Sequence, residues 1–335
     1  MYNILSHRLF RIYDWWEYKI PQILIPLYLV ILNSDYIIGS TINFGVFGKL
    51  LLGLILGALT VSIMGEFFDI KQDKLARKNN GFKKLNNKQT IGVLLITIAI
   101  NILFMYFLKR DTLIFYTLSI ITFFFYYVPI IRLKEKGFLG VIADSLGSHV
   151  FPSIFVFLCL ISIETILEFE YVIFLFWIFL FGVRGILNHQ YTDLENDIKS
   201  NTNTFVKTSS NTIKNILQKT VFILEIILFT TLITSTVDFY LISIGTLIYL
   251  LVLFGRKMLY NNAIVYFCQI KKDRAYSIFL FEFYTVIFPL LLIIQLFTID
   301  QTAFWVLLIL HISITLKRII AILKVFKESL NFILL

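Results

Sequence analysis

Charged residues are scarce in this 335-residue chain: Asp, Glu, Lys and Arg make up only 15% of it, whereas hydrophobic residues make up 58%. With a mean hydropathy of +0.83, this composition excludes a soluble globular domain and is typical of a polytopic membrane protein. The two cysteines, Cys159 and Cys268, have no partner at redox-motif or metal-ligand spacing. The sequence therefore indicates neither a disulfide framework nor a zinc site.

Proline is also rare. The chain has five prolines, Pro21, Pro26, Pro129, Pro152 and Pro289. They do not recur at corresponding positions of two halves, as the broken helices of many transporters do. A transporter or lipid-binding membrane protein is therefore the less favoured alternative from a different functional class.

Long apolar runs account for most of the sequence. A run of about twenty residues crosses a bilayer core, and the chain contains ten such runs. They lie near 20–38, 43–66, 90–108, 112–131, 139–162, 170–188, 215–235, 237–255, 276–298 and 302–323. Lys317 and Arg318 interrupt the last run, which is either a tenth span or an interfacial helix. The sequence predicts an all-α fold, a polytopic transmembrane helical bundle of about nine or ten helices.

The positive charges predict how this bundle is oriented. With both termini and the even-numbered connections on one side, that side holds every Lys and Arg except Lys49, Lys109, Arg110 and Arg184. Because Lys and Arg accumulate in cytoplasmic loops, we expect a multi-pass protein of a bacterial inner membrane with this side in the cytoplasm. The net charge of +9 then describes a rim that meets membrane lipid or a phosphorylated substrate, and no nucleic-acid partner is expected.

The first nineteen residues differ from the runs that follow. They mix apolar residues with charges, and we expect residues 1–19 to form an amphipathic interfacial segment and not a cleavable signal. The charged and tryptophan residues of this segment are Arg8, Arg11, Asp14, Trp15, Trp16, Glu17 and Lys19.

Two acidic clusters stand at the ends of apolar runs. Glu66, Asp69 and Asp73 are spaced i, i+3, i+7 and share one face if the second helix continues through them. Asp193 and Asp197, at i and i+4, do the same at the end of the sixth run. Mg²⁺ prefers such oxygen ligands and takes one or two carboxylates, with water and substrate phosphate completing its shell. The clusters predict a divalent-cation clamp, and the alternative is two solvated helix caps.

The loop after the first cluster is rich in cations. Beside a metal-bound diphosphate, such cations would neutralise charge as the leaving group departs. Alternatively they only anchor the topology, which is the favoured interpretation for most of them. Lys71 and Lys74 are the preferred phosphate contacts because they lie within a turn or so of the carboxylates. The seven cations are Lys71, Lys74, Arg77, Lys78, Lys83, Lys84 and Lys88.

Three motifs follow one another after the second, fourth and sixth runs. The first spans Gly65 to Asp73, the second spans Tyr126 to Gly137, and the third spans Asp193 to Asp197. They resemble the N-D-x-x-D-x-x-x-D, Tyr-x-x-Pro-x-x-Arg-Leu-Lys and D-x-x-x-D motifs of the UbiA superfamily of intramembrane prenyltransferases. The resemblance implies a UbiA-like prenyltransferase domain over residues 20–300, with helices around a central cavity, and an additional C-terminal helix over 301–335.

This resemblance also implies a chemistry for the site residues. Mg²⁺ would be the cofactor and an isoprenyl diphosphate the substrate, with the prenyl group passing to an aromatic or lipid acceptor. A terpene cyclase of the same superfamily is the alternative enzyme. The implied metal ligands are Asp69, Asp73, Asp193 and Asp197, with Glu66 as a fifth. The implied substrate contacts are Lys71 or Lys74, Tyr127, Arg132 and Lys134.

The chain departs from the family pattern at both acidic motifs. Gly65 stands where the family has Asn, and Glu66 stands where it has Asp. His189 and Gln190 replace an Asn pair, and the later Gly-Lys-x-Thr reads Asn-Thr-Asn-Thr, which keeps only Thr204. A standard quinone-pathway substrate is therefore not expected.

Other polar side chains interrupt the apolar runs. Asp144 and His149, with Ser148 between them, would orient or deprotonate an acceptor if they face a cavity, and otherwise form interhelical hydrogen bonds. His189 precedes Asp193 by four residues and is a candidate donor, because Mg²⁺ prefers oxygen to nitrogen. Arg184 is a lone intramembrane cation that needs a partner.

Overall fold

The computed structural model describes residues 10–33, 44–267 and 276–334. Four parts of the sequence-based predictions lie outside these residues. They are the first nine residues of the interfacial segment, the end of the first apolar run with the first residue of the second, Cys268 with the cations that follow it up to residue 275, and the final residue of the chain.

Helices make up nearly all of the regular structure in the described residues. In chain order they are α1 (Ile12–Trp15), α2 (Ile20–Asn33), α3 (Phe44–Phe68), α4 (Ile70–Leu75), α5 (Asn87–Met105), α6 (Arg110–Tyr127), α7 (Phe138–Leu160), α8 (Phe169–Lys199), α9 (Phe205–Thr208), α10 (Asn211–Thr236), α11 (Phe239–Tyr260), α12 (Phe283–Ile299) and α13 (Gln301–Leu334).

Seven of these helices are long and apolar enough, by length and composition, to cross a membrane: α3, α5, α7, α8, α10, α11 and α13. The apolar helices α2 and α12 are shorter, and α6 has 18 residues. These ten helices follow the ten predicted runs in order. The predicted all-α transmembrane bundle is confirmed, and the doubtful last run forms a helix long enough to span.

Polar residues beside the apolar runs fix where helices begin. The Asn86 side chain accepts a hydrogen bond from the backbone N–H of Gln89, and the Gln89 side chain accepts one from the Asn86 N–H. This capping box starts α5. Ser210 caps α10 in a simpler way, because its hydroxyl accepts from the Ile213 N–H.

Helices α7 and α8 form the centre of the bundle. Of their most apolar stretches, 67% and 56% of the residues are buried, against 17% in α5 and 28% in α10 and α11. Helix α5 exposes large apolar side chains, among them Ile96, Ile102 and Leu103. Such a surface is expected of a helix that faces lipid. Helices α7 and α8 therefore contribute most of the buried interior, and the outer helices lie between this pair and the lipid.

Two short strands depart from the all-helical prediction. Strands β1 (Ala263–Val265) and β2 (Tyr276–Ile278) pair in parallel. Just beyond them, Arg184 of α8 donates hydrogen bonds to the carbonyls of Tyr266 at 3.4 Å and Phe279 at 2.9 Å. Its guanidinium also forms a buried ion pair with Glu225 of α10 at 2.9 Å. The partner that Arg184 needs is therefore Glu225, and the side chain ties this strand region to the bundle.

Residues 10–19 pack on the bundle itself. Trp15 is buried, and its indole N–H donates to the Phe10 carbonyl at 3.0 Å. Arg318 of α13 packs against the rings of both Tyr18 and Phe281, with its Cζ 4.4 and 4.7 Å from their centroids. Its Nε also donates to the Glu17 carbonyl at 3.2 Å. The last helix thus holds the first described segment in place.

Candidate active site

A cavity of about 1010 Å³ opens among the helices, and both acidic clusters line it. Glu66, Asp69 and Asp73 reach it from the junction of α3 and α4, and Asp193 and Asp197 reach it from the last turns of α8. The two clusters, over a hundred residues apart in sequence, are therefore brought to one space.

The first cluster follows an almost continuous helical path. Helix α3 ends at Phe68 and α4 begins at Ile70, yet the Asp69 N–H donates to the Gly65 carbonyl and the Asp73 N–H to the Asp69 carbonyl, at 3.1 and 2.8 Å. The i, i+3, i+7 relation survives the break. Three carboxylates consequently face the same cavity, as their spacing predicts.

Two cations from the motif after α6 contact the first cluster. Lys134 Nζ lies 2.5 Å from Oδ1 of Asp69, and Nη2 of Arg132 lies 3.3 Å from the same oxygen. Arg132 adopts a left-handed backbone conformation, with φ 47°, and also pairs with Glu135. The predicted phosphate contacts Arg132 and Lys134 are therefore adjacent to a predicted metal ligand, and Lys134 also lines the cavity.

The loop after α4 folds back over the first cluster. Asn80 donates to Oδ2 of Asp73 at 2.7 Å and to the Glu66 carbonyl at 2.8 Å. The Gly81 N–H donates to Oε2 of Glu66 at 2.6 Å, and Arg11 Nε approaches Oε1 of Glu66 to 3.8 Å. These donors hold the carboxylates in position without filling the cavity between them.

The second cluster has its own set of donors. Asp193 accepts from Lys78 Nζ at 2.6 Å and from the Asn196 amide at 3.2 Å. Asp197 accepts from the Thr204 hydroxyl at 2.8 Å. His189 lies 3.7 Å from Asp193, between its Nε2 and Oδ2, and lines the cavity as well. Each aspartate therefore has a polar partner and an accessible side toward the cavity.

The preference for Lys71 and Lys74 as phosphate contacts is not supported by this geometry. Both side chains are exposed and neither lines the cavity, whereas Lys78 does. Helix α4 ends at Leu75, and Arg77 adopts a left-handed conformation with φ 56°. The chain therefore reverses direction, and Lys78 points back toward the carboxylates.

Burial shifts the pKa of one acid and one base in opposite directions. It raises the pKa of the Asp73 carboxyl, against the opposing effect of the Asn80 hydrogen bond. It lowers the pKa of the Lys134 ammonium, against the opposing effect of the Asp69 carboxylate. Both shifts arise because desolvation disfavours a charged group. A cation brought near Asp73, or an anion brought near Lys134, would stabilise the charged forms.

Aromatic rings line the cavity next to the acidic clusters. Tyr127 stacks on Phe123 at 6.1 Å, and Lys134 Nζ lies 5.5 Å from the centroid of the Tyr127 ring. The backbone of Gly65 approaches this ring so closely that a Cβ there would lie 3.0 Å from Cζ of Tyr127. The Gly65 departure from the family motif therefore makes room for Tyr127.

Three polar side chains of α7 line the cavity below the carboxylates. Ser148 Oγ lies 2.6 Å from Nδ1 of His149 and 3.4 Å from Oδ1 of Asp144. All three residues are buried and line the cavity. Ser148 and His149 belong to a π-helical turn, Leu146–Val150, and Asp144 lies just before it. Such turns are frequent at functional sites. The structure thus brings Asp144 and His149 into the same cavity as the acidic clusters.

The donor set fits Mg²⁺ only when a ligand contributes to its shell. Among the residues that the structure describes, no group of three or more His, Cys, Asp or Glu side chains could hold a metal ion unaided. Mg²⁺, however, is commonly held by one or two carboxylates plus substrate phosphate and water. Each acidic cluster offers that many oxygens at the cavity edge.

Several residues of the site were not singled out from the sequence. Lys78 is one of seven loop cations with no local signal to distinguish it, and Asn80 carries no signal. Arg11 stands out in the sequence only as a charge of the interfacial segment. Thr204 occupies the one retained position of the family's Gly-Lys-x-Thr, so the motif comparison could have found it.

Comparison with solved structures identifies the fold. The chain superposes on a UbiA homolog from Archaeoglobus fulgidus bound to GPP and Mg²⁺ with a TM-score of 0.56 and 12% identity, covering 90% of this chain and 99% of that one. A UbiA homolog from the same organism bound to DMAPP and Mg²⁺ gives 0.55 and 13%, covering 88% and 98%. No protein-family model and no curated protein matches the sequence. The chain has the UbiA fold and is an integral membrane protein.

Proposed function

We propose that this chain is a Mg²⁺-dependent prenyltransferase of the UbiA superfamily, which transfers an isoprenyl group from its diphosphate to an aromatic or lipid acceptor. The observation that carries the proposal is the meeting of two carboxylate clusters at one cavity that also contains Lys78 and Lys134. The shared fold with homologs bound to GPP or DMAPP and Mg²⁺ supports it. On this proposal residues 20–300 are the prenyltransferase domain and 301–335 add a helix to it.

Mg²⁺ would be held by Asp69 and Asp73 on one side of the cavity and by Asp193 and Asp197 on the other, with Glu66 as a further ligand of the first side. When bound, it neutralises the charge that develops on the departing diphosphate.

The cations of the site fit the same role. Lys78 and Lys134 contact Asp193 and Asp69 at 2.6 and 2.5 Å, and Arg132 lies behind Lys134. A diphosphate entering between the clusters would exchange these ion pairs for contacts with its own oxygens. The lysines would then stabilise negative charge where it grows during bond cleavage.

The reaction begins with cleavage of the bond between the allylic carbon and the diphosphate oxygen. The electron pair leaves with the diphosphate, and the allylic carbocation is captured by an electron pair of the acceptor. Tyr127, Phe123 and Phe181 present rings to the cavity, and rings attract cations. Apolar side chains around the reacting carbon would exclude water, which would otherwise quench the carbocation.

Asp144, Ser148 and His149 are suited to the acceptor. They lie on the cavity wall contributed by α7, where a hydroxyl of the acceptor can bond to the imidazole. An acceptor that loses a proton after forming the new carbon bond can pass that proton to His149. Ser148 orients the ring through Nδ1.

The cytoplasmic side of a bacterial inner membrane is the proposed location of the cavity mouth. The cations of the loop after α4 and of the motif after α6 lie on the side of the acidic clusters, in agreement with the positive-inside rule. The isoprenyl diphosphate, whose head group is water-soluble and whose tail is apolar, would enter from that side.

The test uses purified full-length protein with isoprenyl diphosphates, Mg²⁺ and a panel of phenolic and lipid acceptors. We expect prenylated product by mass spectrometry, loss of product on chelation with EDTA, and recovery on adding Mg²⁺. Asp69→Ala and Asp193→Ala should lose activity by at least about 100-fold, because each removes a proposed ligand of the Mg²⁺ that would neutralise the leaving group. Glu195→Ala is the matched control, because Glu195 is exposed on α8 between the two aspartates and does not line the cavity.

Three outcomes would redirect the proposal. Hydrocarbon or terpene alcohol formed without an acceptor would identify a terpene cyclase. Product formation that survives both aspartate substitutions would contradict a role for the acidic clusters, and transport of a solute without diphosphate release would favour the transporter alternative.

A further inference from the structure

The cavity ends at a definite level inside the bundle. On α6 the lining residues run from Tyr127 back to Tyr116, and on α3 they run from Glu66 back to Gly53. No described residue that precedes Tyr116 on α6 or Gly53 on α3 lines the cavity. Tyr116 lies eleven residues before Tyr127, a separation of about 16 Å along a helix axis. The ring of Tyr116 is therefore the deepest lining group of α6, remote from the carboxylates. On α3 the lining continues one turn past Gly57 to Gly53, where a Cβ would lie 2.5 Å from Cζ of Phe155 and 3.0 Å from Cζ of Phe104.

Hydrogen bonds fix the position of this ring. The Tyr116 hydroxyl donates to Oδ1 of Asn101 at 2.5 Å, and the Asn101 amide donates in turn to the Thr60 hydroxyl. Thr60 donates to the Leu56 carbonyl at 2.7 Å. All three side chains are buried and join α3, α5 and α6. Polar side chains that bond across membrane helices hold those helices together, so Tyr116 is anchored and not a freely moving side chain.

Aromatic packing supports the same ring from behind. Tyr116 contacts Phe104 and Phe155, with ring centroids 5.2 and 5.4 Å apart. Neither phenylalanine lines the cavity. On the facing helix, a Cβ at Gly57 would lie 3.6 Å from Cε2 of Tyr116, an ordinary contact distance. Because Gly57 has no side chain, the space between α3 and the Tyr116 ring remains open.

We propose that Tyr116 is the floor that limits the length of the isoprenoid tail, and that Gly57 sets the space remaining above it. This inference rests on the proposed function, since it assumes a diphosphate at the carboxylates with its tail directed along α3 and α6. A longer tail would have to displace an anchored ring backed by two others. In a closed apolar pocket, one extra methylene group on a substrate changes the discrimination between two substrates by roughly 10- to 200-fold.

The test measures binding, so that it does not depend on the acceptor. Geranyl, farnesyl and geranylgeranyl thiolodiphosphates, which ionise poorly, are titrated into the purified full chain with Mg²⁺ by calorimetry. Tyr116→Ala should shift the ratio of affinities toward a longer tail by about tenfold or more. Gly57→Leu should shift the ratio toward a shorter tail by a similar factor, because its side chain fills the space above the ring.

Tyr116→Phe is the matched control. It keeps the ring and removes only the bond to Asn101, so the wild-type order of affinities should persist. If the ratios of the affinities for the longer and shorter tails are unchanged in both Gly57→Leu and Tyr116→Ala, the proposal that Tyr116 limits tail length is wrong. Should Tyr116→Ala fail to fold, Gly57→Leu alone decides, because its Cβ meets no clash.

The outcomes also separate this inference from the proposed function. Variants that change the preferred tail length in a protein that transfers no prenyl group would support the floor and contradict the transferase. If the protein transfers prenyl groups but Tyr116→Ala and Gly57→Leu leave the preferred tail length unchanged, only the role of Tyr116 is contradicted. A wild-type protein that binds none of the three analogues would overturn both.

Discussion

Lys78 Nζ lies 2.6 Å from Oδ2 of Asp193, so that a cation supplied by the loop after the first acidic cluster contacts the second one. This ion pair joins the two halves of the site across more than a hundred residues of sequence. This loop therefore also contacts the acidic clusters, and the contribution of Lys78 can be tested separately from that of the other loop cations.

Replacing Lys78 is predicted to impair the chemical step. Lys78→Ala removes the charge next to Asp193, and we expect a loss in kcat of about 100-fold, as for other groups that stabilise developing negative charge. Lys74→Ala changes the charge of the protein equally but concerns an exposed side chain outside the cavity, and it should behave like wild type. Steady-state release of diphosphate with Mg²⁺ measures both. Equal losses in the two variants would mean that only the net charge of the loop matters.

Introducing at position 65 the Asn of the UbiA motif is predicted to lower activity. A Cβ at this position would lie 3.0 Å from Cζ and 3.1 Å from Oη of Tyr127, so Gly65→Asn must displace that ring and disturb its contact with Lys134. Tyr127→Ala should itself lower activity because the ring is lost, but adding Gly65→Asn to Tyr127→Ala should cost little more, because the larger residue then has space. Comparison of kcat/KM for the single and double variants checks this, and a gain of activity in Gly65→Asn alone would contradict it.

His149 is predicted to affect the acceptor more than the diphosphate. His149→Phe keeps a ring of similar shape next to Phe181, 5.7 Å away between centroids, but removes the nitrogen that faces Ser148. We expect a KM for the acceptor raised by about tenfold, the equivalent of one lost hydrogen bond, with unchanged binding of the isoprenyl thiolodiphosphate. A parallel loss of diphosphate binding would indicate a structural role only. Ser148→Ala should raise the KM for the acceptor less than His149→Phe does, because it leaves the imidazole in place.

The buried ion pair between Arg184 and Glu225 is predicted to matter for stability. Arg184→Met leaves the Glu225 carboxylate buried and unpaired and removes two hydrogen bonds to carbonyls. We expect a loss of about 3–5 kcal/mol in the free energy of unfolding. The double variant Arg184→Met with Glu225→Leu should recover much of it, since a buried pair can be replaced by apolar side chains. Thermal unfolding in detergent measures both, and a double variant as unstable as the single one would assign the loss to the carbonyl contacts.

Those parts of the structure that depend on local composition were predictable. The ten apolar runs correspond to helices because each must satisfy its own backbone groups in lipid. The acidic clusters could be predicted because carboxylates are rare here and their helical spacing is regular. Asp69, Asp73, Asp193 and Asp197 consequently reach the cavity where the sequence suggests.

Features that depend on turns or on distant partners were not predictable. Lys78 reaches Asp193 because the backbone reverses at Arg77, and helical spacing from the carboxylates favoured Lys71 and Lys74 instead. Arg184 pairs with Glu225 of another helix, which no spacing within α8 could reveal. The β1 and β2 strands have three residues each and leave no periodic signal in an apolar sequence.

The contact of Arg318 with Tyr18 and Phe281 has a consequence for how the chain can be divided. Tyr18 and Phe281 both line the cavity, while Arg318 belongs to the helix beyond residue 300. A protein shortened at residue 300 would therefore lose a contact that supports two side chains of the cavity wall, although every carboxylate of the acidic clusters would remain. Residues 10–19 and helix α13 therefore support the cavity wall together, so the part of the chain that shapes the cavity extends beyond the acidic motifs.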